Sequence, residues 1–162
     1  MSFENQEKPS GTRHKAREAA LQMLFGCDMA STDATEMTRD YWNELGDEAM
    51  DDRNREFGDK LVTGTLKNLA EIDDTIRTRA EHWRIERMAI VDRNILRLAV
   101  FELQFFDTPD SVAINEALEL ARKFSTYEST LFVNGVLDAI KNDLAAKATN
   151  ADSKSTTTAT SK

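Results

Sequence analysis

Arg13, His14, Lys15 and Arg17 stand together near the start of a 162-residue chain whose formal net charge is −8. From Lys8 to Arg17 there is no acidic side chain. Guanidinium groups present planar, forked donors that match phosphate oxygens, and lysine adds a mobile point charge. A helix N-terminus is already partially positive, so cations in a first turn cost about a few tenths of a kcal/mol. Local helix stability therefore does not explain them. Arg13 and Arg17 lie at i, i+4 and share a face. That face is set apart from the apolar positions Met23, Leu24 and Cys27, which predicts guanidinium groups in water. Three uses stay open on these residues alone: gripping a polyanion such as RNA, a solvated basic patch, or pairing with the acidic stretch 47–52, "DEAMDD".

Other chemistries find no footing. The six glycines match neither a phosphate loop nor a dinucleotide fingerprint. His14 and His82 are far apart with no cysteine pair between them, which argues against structural zinc. Cys27, the single cysteine, falls on an apolar helix face and reads as an inert core thiol. The Asp51-Asp52 and Asp73-Asp74 pairs read as hydrated faces or helix-start charges. The chain is expected to be neither an enzyme nor a cofactor carrier. One cysteine suits a reducing cytoplasm, and no apolar run approaches the ~20 residues of a membrane span. Net acidity argues against indiscriminate coating of nucleic acid. It leaves room for a local basic site, because salt screens surface charge over about 10 Å.

The elements that must position these residues are helical throughout. Thr12 is a candidate cap for a first helix whose Ala16, Ala20, Met23, Leu24 and Cys27 form one face. A second helix fits 33–45 and a third 52–69, with Ile72, Ile76 and Trp83 extending a fourth or continuing the third. The segment 90–106, "IVDRNILRLAVFELQFF", is apolar nearly all round and predicts a central helix, ending near Asp107 ahead of Pro109. Ser111 and Ser129 are candidate caps for two last helices, the first over 112–124. Gly135 within the last helix suggests a close helix–helix approach, and Asn115 and Asn134 read as architectural polar groups. The expected architecture is all-α, about seven helices. It comprises a flexible arm at 1–11, a domain at 12–144 and a disordered, low-complexity tail at 145–162.

Three stretches carry a resemblance: "RHKAREAALQMLF", "VDRNILRLAVFEL" and "VAINEALELARKFSTYESTLFVNGVLDAI". Over about residues 12–143 the sequence resembles the NusB family of bacterial transcription antitermination factors. The resemblance implies a compact helical fold of two small subdomains without catalytic activity. It implies binding to boxA RNA of nascent ribosomal transcripts together with NusE, a small-subunit ribosomal protein. It further implies recruitment to elongating RNA polymerase with other Nus factors, and a monomer or weak homodimer when alone.

By the same resemblance Arg13, His14, Lys15 and Arg17 inherit the RNA-binding role of the first helix. Phe25 and Phe132 match aromatic positions associated with the RNA, although Phe132 also fits the inward period of the last helix. Glu86, Asp92 and Glu128 correspond to the acidic surface that meets NusE, where negative charge steers a basic partner. The family's first-helix run is usually richer in arginine than "RHKAR". Two other readings remain beside this one: an accessory domain of an RNA-modifying system, and a protein-interaction module without RNA binding.

Overall fold

The computed structural model describes residues 11–46, 48–80 and 83–158, so most of the arm, with Lys8, and also His82 lie outside the described residues. Seven helices follow in order among them: α1 (Gly11–Ala30), α2 (Ala34–Glu44), α3 (Asp52–Lys67), α4 (Leu69–Arg79), α5 (Ile90–Phe105), α6 (Asp110–Phe124) and α7 (Tyr127–Thr158). A 3₁₀ turn, Ile85–Arg87, precedes α5. The all-α architecture expected from the periodicity is the one observed. Helices α1, α2 and α3 pack together on one side, and α6 and α7 on the other. Helix α5 touches both groups, as well as α4.

That central place follows from its sequence. Ile95, Leu96, Leu98, Ala99, Val100 and Phe101 are all buried, on every side of the helix. A helix apolar all round has no face to give to water. Gly64 of α3 meets it where an added Cβ would run into the Phe101 ring, so here a glycine does mark a close approach. Gly135 does not: it is exposed, and a Cβ there would meet nothing within 4 Å. Asn115 and Asn134 are exposed too, on the outer faces of α6 and α7, rather than architectural groups in the core.

Local chemistry sets the helix ends. Asp33 accepts from the Thr35 N–H at 2.6 Å and Asp51 from the Asn54 N–H at 2.9 Å, capping α2 and α3. The run read as 52–69 breaks at Asn68, whose side-chain amide donates to the Gly64 carbonyl at 2.8 Å and competes with the helical ladder. Ser111 and Ser129 are not the caps. Helix α6 begins after Pro109 without a side-chain cap, and Thr126 caps α7 by accepting from the Ser129 N–H at 3.1 Å. Helix α7 then continues to Thr158, through much of the segment expected to be disordered from 145. Residues 145–153 are all exposed, so burial ends there while the helix does not. The alanines at 145, 146 and 148, with no Gly or Pro, carry it on.

A charge cluster ties α1 to α4 and α5. Arg93 donates twice to Asp28, at 2.6 and 2.7 Å, and Asn94 donates at 2.9 Å. Arg97 reaches Asp28 at 3.1 Å and grips Asp73 with two bonds, at 2.9 and 3.0 Å. Burial alone would raise the Asp28 carboxyl, but bonds from Arg93 and Asn94 and the charges of Arg93 and Arg97 hold it below its ordinary 3.8. A carboxyl depressed on folding adds stability that is present above 3.8 and lost as pH falls through the lower folded value. Acid unfolding of Asp28→Asn is therefore expected to depend less on pH below about 4 than wild type, followed by circular dichroism. Identical acid limbs would show that the cluster contributes nothing.

Candidate nucleic-acid interface

The positive entrance of α1 is divided by the fold. Arg13 is exposed, and its guanidinium lies 4.0 Å over the Phe57 ring of α3. Stacking on an aromatic face leaves the edge donors of the fork turned to a ligand. Lys15 is exposed as well. Arg53 and Lys60 of α3 join Arg13 around an open groove of about 590 Å³, with Phe57, Phe106 and Pro109 among its apolar walls.

Arg17 departs from the expectation. It is 5% exposed, and its Nε donates to both carboxylate oxygens of Glu102 at 3.1 Å while Nη2 donates at 2.7 Å. Glu102 is 1% exposed and also accepts from the Thr108 hydroxyl at 2.9 Å. The guanidinium predicted to stand in water is thus sealed into the α1–α5 contact. The reason lies in its spacing: Arg17, Leu21, Leu24 and Asp28 fall at i, i+4, i+7, i+11, on the side of α1 that faces α5.

His14 is also engaged. Its Nδ1 is 2.6 Å from Glu116 and its Nε2 3.0 Å from Glu18, so both ring nitrogens face carboxylates. Lys123 completes the seam by donating to Glu18 at 2.9 Å. These contacts clasp α1 to α6. Glu102 holds Arg17, and Glu116 and Glu18 hold His14; of the described part of the acidic 47–52 stretch, the Asp51 carboxyl is lowered first by its bonds from Asn54 and in smaller part by the charges of Arg53 and Arg13. Phe25 is 38% exposed, on the His14 and Glu18 face of α1.

At the other end of α5 lies a second hollow of about 400 Å³, lined by Trp83, Arg87, Asp92, Glu128, Ser129 and Phe132 among others. It gathers Phe132, Asp92 and Glu128 from the sequence reading. Phe132 is half-buried and meets Trp83 edge-to-face with ring centroids 6.1 Å apart. Asp92 is only 9% exposed and accepts from the Ser125 hydroxyl at 2.6 Å and the Ser129 hydroxyl at 2.8 Å. Glu128 is exposed at the rim. Glu86 does not line the hollow; it is exposed and accepts from Arg77 at 3.0 Å.

Sequence reading missed Glu102 as the partner of Arg17, and missed Trp83, which it counted with Ile72 and Ile76 in a fourth helix or a continuation of the third. A carboxylate within a buried stripe was the available signal for the first, since a buried charge demands a counter-charge. Nothing in the periodicity marked Trp83. Cys27 is buried, and burial first, then the charges of Asp33 and Asp28, push its thiol up, away from reactivity. Among the described residues no group of three or more His, Cys, Asp or Glu is arranged to hold a metal. No described helix is long and apolar enough to cross a membrane.

An all-α body whose central helix ends at an aromatic-walled groove, with Arg13, Arg53 and Lys60 beside Glu56, Asp107 and Glu116, has the form of a binding module. A family model described as "NusB family" matches residues 14–142. The transcription antitermination protein NusB of Solibacter usitatus is 50% identical over 133 residues, covering 82% of this chain and 90% of that protein. That of Koribacter versatilis is 48% identical over 139 residues, covering 85% and 94%. Among solved structures, T. maritima NusB superimposes with a TM-score of 0.72 at 37% identity, covering 80% of this chain and 90% of that one. A chain from a complex of the antitermination factors NusB and NusE with double-stranded RNA gives 0.73 at 29% identity, covering 82% and 97%. The chain belongs to the NusB family.

Proposed function

We propose that this protein is a transcription antitermination factor that binds boxA RNA of nascent ribosomal transcripts together with NusE. It acts in the cytoplasm by binding, without catalysis, and joins elongating RNA polymerase with the other Nus factors. The observation that carries the reading is the groove in which Arg13, stacked on Phe57, stands beside Arg53 and Lys60. With Lys15 this makes four exposed cations at one end of an acidic body. Phosphates enter such a groove, and the acidic remainder keeps the backbone from settling elsewhere.

Two of the four expected cationic positions, His14 and Arg17, are occupied by internal carboxylates. RNA affinity of the protein alone is therefore modest, and NusE supplies the rest of the binding surface. Glu128 and Glu86, both exposed, are the acidic residues best presented to a basic partner, whereas Asp92 is nearly enclosed. The reading is tested by titrating single-stranded boxA-type RNA and a scrambled control, with and without NusE. Weak binding alone and preferential, tighter binding of the boxA-type strand with NusE is expected. Equal binding of both strands in the presence of NusE contradicts it.

A further inference from the structure

We infer that Phe57 is a positioning residue for RNA binding, holding the Arg13 guanidinium where it meets a phosphate. The inference rests on the RNA-binding reading and names the side chain that prepares its leading cation.

An exposed arginine ordinarily samples many rotamers, and a ligand that orders one gives up part of its binding energy. Arg13 starts from a different state. Its guanidinium lies 4.0 Å from the centre of the Phe57 ring, over the negative face of the aromatic quadrupole. The ring cannot follow a moving arginine. Phe57 is 8% exposed and meets the Phe106 ring at 60°, with centroids 6.0 Å apart. Gly58, the next residue, brings α3 close to α1: a Cβ there would lie 3.3 Å from the Ala16 carbonyl oxygen. The core therefore fixes the platform, while the cation on it faces water.

Charge makes this placement demanding. Arg53, Phe57 and Lys60 fall at i, i+4 and i+7 on α3, so they share one strip. With Arg13 over the middle of it, three cations from two helices stand within about 10 Å along α3. Like charges so spaced repel, and only Lys60 is eased by a neighbour on its own helix, Glu56 at 3.4 Å. The attraction of the ring face opposes that repulsion and keeps Arg13 in the row.

Arg17 is a further cation, 5.2 Å from the centre of the same ring. Three hydrogen bonds to the Glu102 carboxylate offset its charge there. The sealed pair thus leaves the ring to Arg13 and relieves the repulsion between arginines at i, i+4. Loss of both buried charges would leave the ring to Arg13 in the same way. Any apolar side chain could fill this part of the core, but only an aromatic face holds a guanidinium.

Phe57→Leu would also open a cavity in the core, so the test keeps the shape of the ring and changes its charge. Position 57 of the full chain is filled with 4-fluorophenylalanine or 3,4,5-trifluorophenylalanine, which progressively drain the face of negative charge. Labelled single-stranded boxA-type RNA is titrated by fluorescence anisotropy at two salt concentrations, in the wild-type and Arg13→Ala backgrounds. Affinity is expected to fall stepwise, by about 2- to 10-fold for the trifluoro ring. The slope of log K against log salt is expected to stay at the wild-type value, because Arg13 keeps its charge. In the Arg13→Ala background the three rings are expected to bind RNA alike. Equal affinity for all three rings in the wild-type background, with Arg13→Ala still impaired, overturns the inference and leaves the RNA-binding reading standing. An equal loss in both backgrounds makes the ring act independently of Arg13 and also overturns it. Absence of RNA binding by the wild-type protein, alone and with NusE, overturns both.

Discussion

Replacing Arg17 with alanine is expected to lower unfolding stability by about 3–5 kcal/mol. That is a large share of the roughly 5–15 kcal/mol that holds a typical domain together. The loss does not measure the attraction between Arg17 and Glu102 alone. It arises because the variant leaves a carboxylate that is 1% exposed with its guanidinium partner gone and only the Thr108 hydroxyl in reach. Removing both charges tells the difference. The paired change Arg17→Met with Glu102→Leu has no orphaned charge, and is expected to unfold at a urea midpoint close to wild type. The measurement is urea denaturation with the slope checked for constancy, so that the midpoints report stability. An Arg17→Ala protein unfolding at the wild-type midpoint would remove this pair from the structural account.

Arg13→Ala is expected to do the reverse: little to stability, much to RNA. Arg13 is exposed, and its contact with Phe57 contributes about 0.5–1 kcal/mol at such a site. A charge-assisted bond to phosphate contributes about 1.5–3 kcal/mol, so affinity for single-stranded RNA at fixed salt should fall about 10- to 150-fold. Arg13→Lys should fall between, because it keeps the charge and loses both the fork and the flat face on Phe57. Fluorescence anisotropy of a labelled strand reads all three. Wild-type affinity in Arg13→Ala would make the groove ordinary surface.

These opposite expectations for two arginines four residues apart show where sequence reading stops. Periodicity recovers the helices, because each must bury a stripe and the stripe recurs every 3.6 residues. It recovers α5 as the centre, because an all-round apolar helix has nowhere else to go. It does not resolve a boundary residue. Arg13 and Arg17 share a face in outline, yet the buried side of α1 is wider than its apolar letters, and Leu21 and Leu24 carry it as far as Arg17. The decisive partner, Glu102, is 85 positions away in the chain. Trp83 escaped for a related reason. It follows the end of α4 at Arg79, so the helical period that counted it with Ile72 and Ile76 no longer applied. Gly135 and the asparagines at 115 and 134 were given core roles from their apolar neighbours, while the helices turn those positions outward. The family motifs did identify the entrance helix and three of the residues around the second hollow.

The most direct test of the account is the salt dependence of RNA binding, measured for wild type, Arg13→Ala and the charge-free pair Arg17→Met/Glu102→Leu. Each phosphate contact to a single strand contributes about −0.7 to the slope of log K against log salt, so four cations give about −2.8. Arg13→Ala is expected to flatten the slope by about 0.7, and the paired variant to leave it unchanged. A slope that persists in Arg13→Ala and flattens in the paired variant would mean that the sealed arginine, not the exposed one, holds the RNA.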